Sequence, residues 1–434
     1  MPPAPPLRTA VWYWLKLGCI SFGGPAGQIA MMHAELVERR RWISEQRFLH
    51  ALNYCMLLPG PEATQLAIYI GWLLHKTRGG IVAGLLFVLP SLLILILLSW
   101  LYLAYGSVPT VAAILYGIKP AVVALVLAAA WRIGSRTLKN PLLIAIAVLA
   151  FAAILLHLPF PAIIAGAALA GALGGRYRPQ DFRPGQGHAA RHASYGPALI
   201  DDDTPTPAHA RFRWPQLARV ALSGIGLAVG SWLLLAGIGG PQGVLAQMGW
   251  FFSKAALLTF GGAYAVLPYV YQGSVDAFHW LNPAQMMDGL ALGETTPGPL
   301  IMIVTFVGFV GGWTQQALGA GAPLAGAIAG ALVATWFTFL PSFVFILAGG
   351  PLVESTRGKL HLTAPLTAIS AAVTGVIISL AVFFGRQVFY TGSVPHWDWP
   401  ALAISVLASI ALLRYQTGPI KLILACAIAG LVLS

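Results

Sequence analysis

The chain has 434 residues, of which 58% are hydrophobic and 9% charged, and a formal net charge of +12. Soluble domains carry about 25% charged residues, so this composition excludes one. The arginines lie mostly in loops between apolar spans rather than along one helix face, which predicts cytoplasmic loops and no nucleic-acid partner.

The opening stretch MPPAPPLR lacks the basic region, short apolar run and small-residue cleavage site of a signal peptide, so the first apolar segment is expected to stay in the mature protein. Apolar segments follow at 11–30, 51–74, 80–104, 109–131, 141–157 and 159–175. A hydrocarbon core of roughly 30 Å takes about 20 residues of helix. Period-two alternation is missing, so the spans are predicted to be helices and not a β-barrel. Residues 176–213, rich in Arg, Pro, Asp and His, predict a basic, polar, solvated cytoplasmic linker in which His188, His192 and His209 lack metal-site spacing. Further apolar segments fall at 216–238, 248–271, 288–313, 323–348, 364–385, 399–413 and 418–434. Cys19, Cys55 and Cys426 sit in apolar segments without a C-x-x-C pattern and are read as small core residues. No cofactor or metal is expected.

The two sets of segments repeat each other. Lys16, Ser21, Phe22, Gly23 and Gly24 recur 238 positions later as Lys254, Thr259, Phe260, Gly261 and Gly262. Pro59-Gly60-Pro61 recurs as Pro297-Gly298-Pro299, and Trp42 as Trp280, in the same register. Leu89-Pro90-Ser91 returns as Leu340-Pro341-Ser342 at an offset of 251, so one insertion separates the two blocks. This is duplication. The predicted organisation is an N-terminal membrane repeat at 1–175, the linker, a connecting transmembrane segment at 214–247 and a C-terminal membrane repeat at 248–434. One unmatched span, 216–238, between homologous starts inverts the second copy, an arrangement recurrent in secondary transporters. Loop charge agrees, because 31–50 carries Arg39, Arg40, Arg41 and Arg47 whereas 272–287 has no Lys or Arg and contains Asp276. Placing both these loops and the linker consistently requires 11–30 with 51–74, and 248–271 with 288–313, to be paired re-entrant or broken helices. The fold class expected is therefore an all-α integral membrane protein of two inverted-topology repeats with broken or re-entrant helices.

Charges within the apolar segments include Lys16, Glu62, Lys119, Lys254 and Glu294, four of them in the repeated blocks, and intramembrane charges are functional candidates. Lys254 is expected to balance the charge of a bound anion, with Lys16 as its weaker mirror, and Glu294 to pair with Lys254 when no anion is bound. A helix restarting after Pro59-Gly60-Pro61 or Pro297-Gly298-Pro299 offers free N–H groups and the positive end of its dipole. Gly23, Gly24, Gly261 and Gly262 leave room for an oxyanion, while Ser21, Thr259, Gln65 and Tyr264 add hydroxyl and amide donors. The same glycines and prolines also serve close helix packing and static kinks in many membrane proteins. Trp12, Trp14, Trp100, Trp397 and Trp399 are read as interfacial anchors. No phosphate loop or hydrolase elbow is present, so the chain is not expected to be an enzyme, and energy would come from membrane potential or ion exchange.

Ser21-Phe22-Gly23-Gly24-Pro25, Leu58-Pro59-Gly60-Pro61-Glu62 with Gln65, Gly71-Trp72, Phe260-Gly261-Gly262 and Glu294 with Pro297-Gly298-Pro299 together resemble the chromate ion transporter family in its long, two-domain form. The resemblance covers nearly the whole chain. It implies a multi-pass carrier of the bacterial inner membrane that exports chromate and confers chromate resistance. Sulfate has the same charge and shape, so a sulfate-like oxyanion, the lipid bilayer and a second copy in a homodimer are the other partners expected. A transporter or channel for another anion is the alternative, and a membrane-embedded lipid-processing enzyme a weaker one, since that would need several acidic or histidine residues convergent at one membrane face, whereas Glu62 and Glu294 stand isolated.

Overall fold

The computed structural model describes residues 5–22, 24–106, 108–182, 195–205, 207–260, 262–355, 363–391 and 396–433. Gly23 and Gly261, both expected at the site, lie outside the described residues, as do His188 and His192.

Long runs of Leu, Ala, Val and Ile make nearly every element a helix. In the first half these are α1 (Leu7–Ile20), α2 (Gly24–His33), α3 (Glu45–Leu57), α4 (Glu62–Tyr105), α5 (Pro109–Thr137), α6 (Pro141–Leu155) and α7 (Phe160–Tyr177). The outlying α8 (Trp214–Gly239) follows the linker. The second half contains α9 (Val244–Leu258), α10 (Ala263–Tyr271), α11 (Pro283–Thr295), α12 (Ile303–Thr314), α13 (Pro323–Ser355), α14 (Thr363–Phe389), α15 (Trp399–Arg414) and α16 (Pro419–Leu433). A two-stranded hairpin, Tyr390–Thr391 with His396–Trp397, joins α14 to α15. Among the described residues, five helices, α4, α5, α8, α13 and α14, are long and apolar enough to cross a membrane.

The four motif-bearing segments are all interrupted. Segment 11–30 breaks between α1 and α2, 51–74 between α3 and α4, 248–271 between α9 and α10, and 288–313 between α11 and a short 3₁₀ turn, Leu300–Met302, that leads into α12. The repeat register persists in atomic detail. A single π turn follows α2 at Ala34–Arg39 and another follows α10 at Gln272–Ala277, again 238 positions on. Trp42 N–H donates to Leu36 O at 2.9 Å, and Trp280 N–H to Ser274 O at 2.7 Å. Ser44 caps α3 by accepting from Arg47 N–H, and Asn282 caps α11 by accepting from Gln285 N–H.

Segments 51–74 and 80–104, expected as separate spans, meet in α4. That helix leaves helical geometry at His75 and Lys76, where Lys76 has φ +57°. In the second half the matching pair, α12 and α13, packs at backbone contact: a Cβ on Gly330 would stand 2.1 Å from Gly308 O. In lipid, where apolar side chains gain little by leaving solvent, such close approach is what holds helices together. The halves also interlock. Helix α5 packs on α15 and α16, while α14 packs on α6 and α7, so each half completes the other's core. Helix α8 lies outside this core with no buried residue, attached to α9 and α13 and tied by Trp232 Nε1 donating to Ala246 O at 3.0 Å.

The linker departs from expectation. It is predicted to be solvated, but residues 195–205 and 207–210 dock on the first half. Ile43 and Ile200 form a parallel bridge, with Leu199 N–H donating to Arg41 O (2.8 Å), Ile200 N–H to Trp42 O (3.1 Å) and Ser44 N–H to Ile200 O (2.9 Å). Ser44 Oγ donates to Asp202 (2.5 Å), Arg47 Nη2 donates to Thr204 O (2.5 Å), and His209 Nε2 contacts Trp72 O at 3.1 Å. Ala198, Ile200 and Ala210 are buried. Polar composition hid a few apolar side chains spaced to reach this surface.

Candidate functional site

Each Pro-Gly-Pro turn is joined to the opposite half. Gly60 N–H donates to Thr259 O at 2.7 Å, and Gly298 N–H donates to Ser21 O at 2.8 Å. Both glycines occupy left-handed backbone, φ +124° and +111°, open to glycine because it has no Cβ. A Cβ on Gly60 would come within 2.5 Å of Ser342 Oγ, and one on Gly298 within 2.7 Å of Ser91 Cβ. The exchange is reciprocal, since Ser21 and Thr259, Gly60 and Gly298, and Ser91 and Ser342 are repeat equivalents.

This geometry revises the donor set. The Gly60 and Gly298 amides, which precede the restarting helices, are taken up by carbonyls. The hydroxyls of Ser21 and Thr259 donate back along their own helices, to Leu17 O (2.5 Å) and Ala255 O (2.7 Å), instead of offering themselves to a ligand. Gln65 Nε2 donates to Pro59 O (2.7 Å) and Ser342 Oγ (3.4 Å), so it braces the turn.

What remains is backbone at helix ends. A cavity of about 10 Å³ is lined by Pro25 and Gln28 of α2, Pro61, Glu62 and Ala63 at the start of α4, Gly262 and Ala263 at the start of α10, and Pro299, Leu300 and Ile301 entering α12. Four helix N-termini, two from each half, therefore converge on one point. The starts of α4 and α10 and the 3₁₀ turn have no side-chain cap; the cap carbonyls of Gly262 and Pro299 accept from Ala265 N–H (3.1 Å) and Met302 N–H (2.9 Å), and the earlier N–H groups and dipole ends lie at the cavity. Such convergence favours negative charge. The space is that of about one water, so a tetrahedral oxyanion can enter only if the four ends separate.

Two carboxylates stand beside these ends. Glu62 lines the cavity, and Glu294, the last acidic residue before Pro297, accepts a hydrogen bond from Tyr264 O–H, which brings Tyr264 from α10 to α11. The structure does not bring Lys254 to Glu294. Lys254 is exposed on α9 with Nζ 5.5 Å from the ring centre of Trp250, and Lys16 is exposed one turn from Trp12 on α1. Trp12 and Trp250 are 63% and 60% exposed and are repeat equivalents, so the Trp-Lys pairs lie on the outer surface of both halves. An apolar run does not reveal which of its faces is buried, and these lysines lie on the exposed one.

Sequence reasoning missed two polar residues. Gln28 is fully buried, its Nε2 donating to Gly298 O (2.6 Å) and Ser21 O (3.3 Å), so α2 is fastened to the opposite Pro-Gly-Pro turn. An amide inside an apolar segment was the available signal. Asp288, at the edge of segment 288–313, is 3% exposed in α11; it accepts from Tyr102 O–H at 2.9 Å and lies 3.6 Å from Lys119 Nζ. It went unnoticed because its position marked a segment boundary.

Taken together these features define a multi-pass α-helical membrane protein built from two repeated sets of broken helices that meet at a ring of helix N-termini. The family model described as Chromate transporter matches residues 8–172 and 246–431, omitting the linker and α8. The chain belongs to the chromate transporter family. It is 30% identical over 430 residues to the chromate transport protein of Cupriavidus metallidurans, covering 98% of this chain and 93% of that one. It is 34% identical over 373 residues to the chromate transport protein of Pseudomonas aeruginosa, covering 84% and 77%. An uncharacterized transporter of Methanocaldococcus jannaschii, MJ0718, is 25% identical over 406 residues, covering 93% and 88%. No solved structure matches the chain.

Proposed function

We propose that the protein is a secondary carrier that exports chromate, or an oxyanion of the same shape and charge such as sulfate, across the bacterial inner membrane and so confers chromate resistance. The observation that carries this reading is the convergence of four helix N-termini, from both halves, on one cavity. A dianion leaving water needs its hydration shell replaced, and oriented amides at uncapped helix ends do this without a fixed cation. The cross-bonded Gly60 and Gly298 turns keep the four ends in register, and Gln28 extends the same fastening. Residues 1–175 and 248–434 act as two inverted repeats, with 214–247 as the connecting span and 176–213 on the cytoplasmic side. Export proceeds as the two halves separate first toward one face and then the other, with the anion held between them. Glu62 places a negative charge where the anion sits and so opposes binding, which sets the carrier to release its cargo readily. Tyr264 and Glu294 position the start of α10 against α11.

The test is uptake of radiolabelled chromate by inverted membrane vesicles, with sulfate as competitor. Saturable chromate uptake inhibited by sulfate supports the reading. Uptake of an unrelated anion such as chloride, with none of chromate, would replace it with the alternative of a carrier or channel for another anion.

A further inference from the structure

Outside the anion site, one row of titratable groups runs from the molecular edge to the core. Asp398 caps α15 between the exposed Trp397 and Trp399, residues of the kind that sit at a membrane surface. Tyr116 O–H on α5 reaches both carboxylate oxygens of Asp398, at 2.7 and 2.9 Å. Lys119 stands three residues further along α5, hence on the same helix face, and its Nζ is 3.6 Å from Asp288 Oδ1. Asp288 is almost wholly buried; Tyr102 of α4 bonds its Oδ2, while, among the described residues, Oδ1 has no hydrogen-bond partner. Among the other elements packed on α11, α12 has no ionisable side chain, Arg386 of α14 and Lys421 of α16 are exposed, and Cys426 of α16 is buried against Gly117. Lys119 and Tyr102 are therefore the groups that face Asp288.

We propose that Asp288 is a proton-binding site of the carrier, reached from the membrane surface through Asp398, Tyr116 and Lys119. This rests on the carrier reading above. The carboxylate of Asp288 gains one proton, forming an acid O–H; the Lys119 ammonium keeps its own protons and loses its counterion, so the tie between α5 and α11 loosens. Asp288 lies six residues before Glu294 on α11, about 9 Å along the axis, and α11 leads into the Pro297-Gly298-Pro299 wall of the anion site. Release of α11 from α4 and α5 thus transmits protonation to the cavity. The equivalent position in the first half is His50, whose Nε2 contacts Val353 O at 3.3 Å, so the carboxylate is particular to the second half.

The experiment uses purified full-length protein in proteoliposomes with an enclosed pH dye. The parent should accumulate chromate under an imposed pH gradient and move protons as it does so. Asp288→Asn should lose both, while chromate-for-chromate counterflow, which moves no net proton, continues. Tyr116→Phe should slow the dye response and leave the half-saturating chromate concentration unchanged. Asp288→Glu, which keeps an acid in place, should retain proton movement and guards against a folding defect in the Asn variant. A parental dye response from Asp288→Asn, or chromate accumulation by the parent with no proton movement, would overturn the proposal and leave the carrier reading standing. Absence of counterflow in the parent would remove the carrier reading itself.

Discussion

At Gly60 and Gly298 the backbone sits at φ +124° and +111°, where a Cβ costs about 1–3 kcal/mol in strain before any clash. Gly60→Ala adds contact with Ser342 Oγ at 2.5 Å, so we expect a lower unfolding temperature and loss of chromate uptake together. Thermal unfolding in detergent beside vesicle uptake checks this; a variant with parental values of both would show that the turn is not strained. Glu62 makes the opposite kind of prediction. Its carboxylate stands at the end of α4 where the proposed site lies, and a helix-end interaction of about 0.3–1 kcal/mol corresponds to roughly a two- to fivefold change in affinity. Glu62→Gln should lower the half-saturating chromate concentration by that factor, and a raised concentration would mean that the carboxylate helps hold the substrate. The positions of these residues were legible in the sequence because each motif occurs twice at one spacing. Their orientation was not: Lys16 and Lys254 share the apolar runs but face outward beside Trp12 and Trp250, and side-chain direction depends on tertiary contacts that spacing does not encode.

The helices themselves were largely readable, including the breaks, because glycine and proline act locally on the chain. The docked linker was not, since Ile200 finds Ile43 across 157 positions and nothing local marks the pair. A similar long-range tie joins α3 to α13: Arg47 Nη1 lies 3.7 Å from Glu354, which also accepts from Tyr69 O–H at 2.6 Å, and both charged side chains are buried. Breaking a buried pair on one side costs about 3–5 kcal/mol. Glu354→Ala should therefore lower the thermal unfolding midpoint markedly, whereas Glu62→Gln should not. A Glu354→Ala protein as stable as the parent would show that the pair holds nothing in place. For the breaks, left-handed Gly60 matters more than the ring of Pro59, so Gly60→Val should abolish uptake and Pro59→Ala should retain part of it.

For the whole molecule, the common offset announced two copies, and the crosswise bonds of Gly60 to Thr259 and Gly298 to Ser21 give that duplication a physical role. Inversion of the copies predicts that single cysteines in loops 31–50 and 272–287 react with an impermeant reagent from opposite sides; labelling both from one side would end the model. The closing question is whether the anion sits where the four helix N-termini meet. Pro25 lines that cavity in the first turn of α2, so Pro25→Asp puts a fixed negative charge there while an acidic residue in a first turn favours the helix itself. Equilibrium binding of radiolabelled chromate to purified parent and variant, with unfolding temperature followed in parallel, separates the two effects. The account predicts loss of chromate binding with the unfolding temperature held; chromate binding by Pro25→Asp with parental affinity would contradict it.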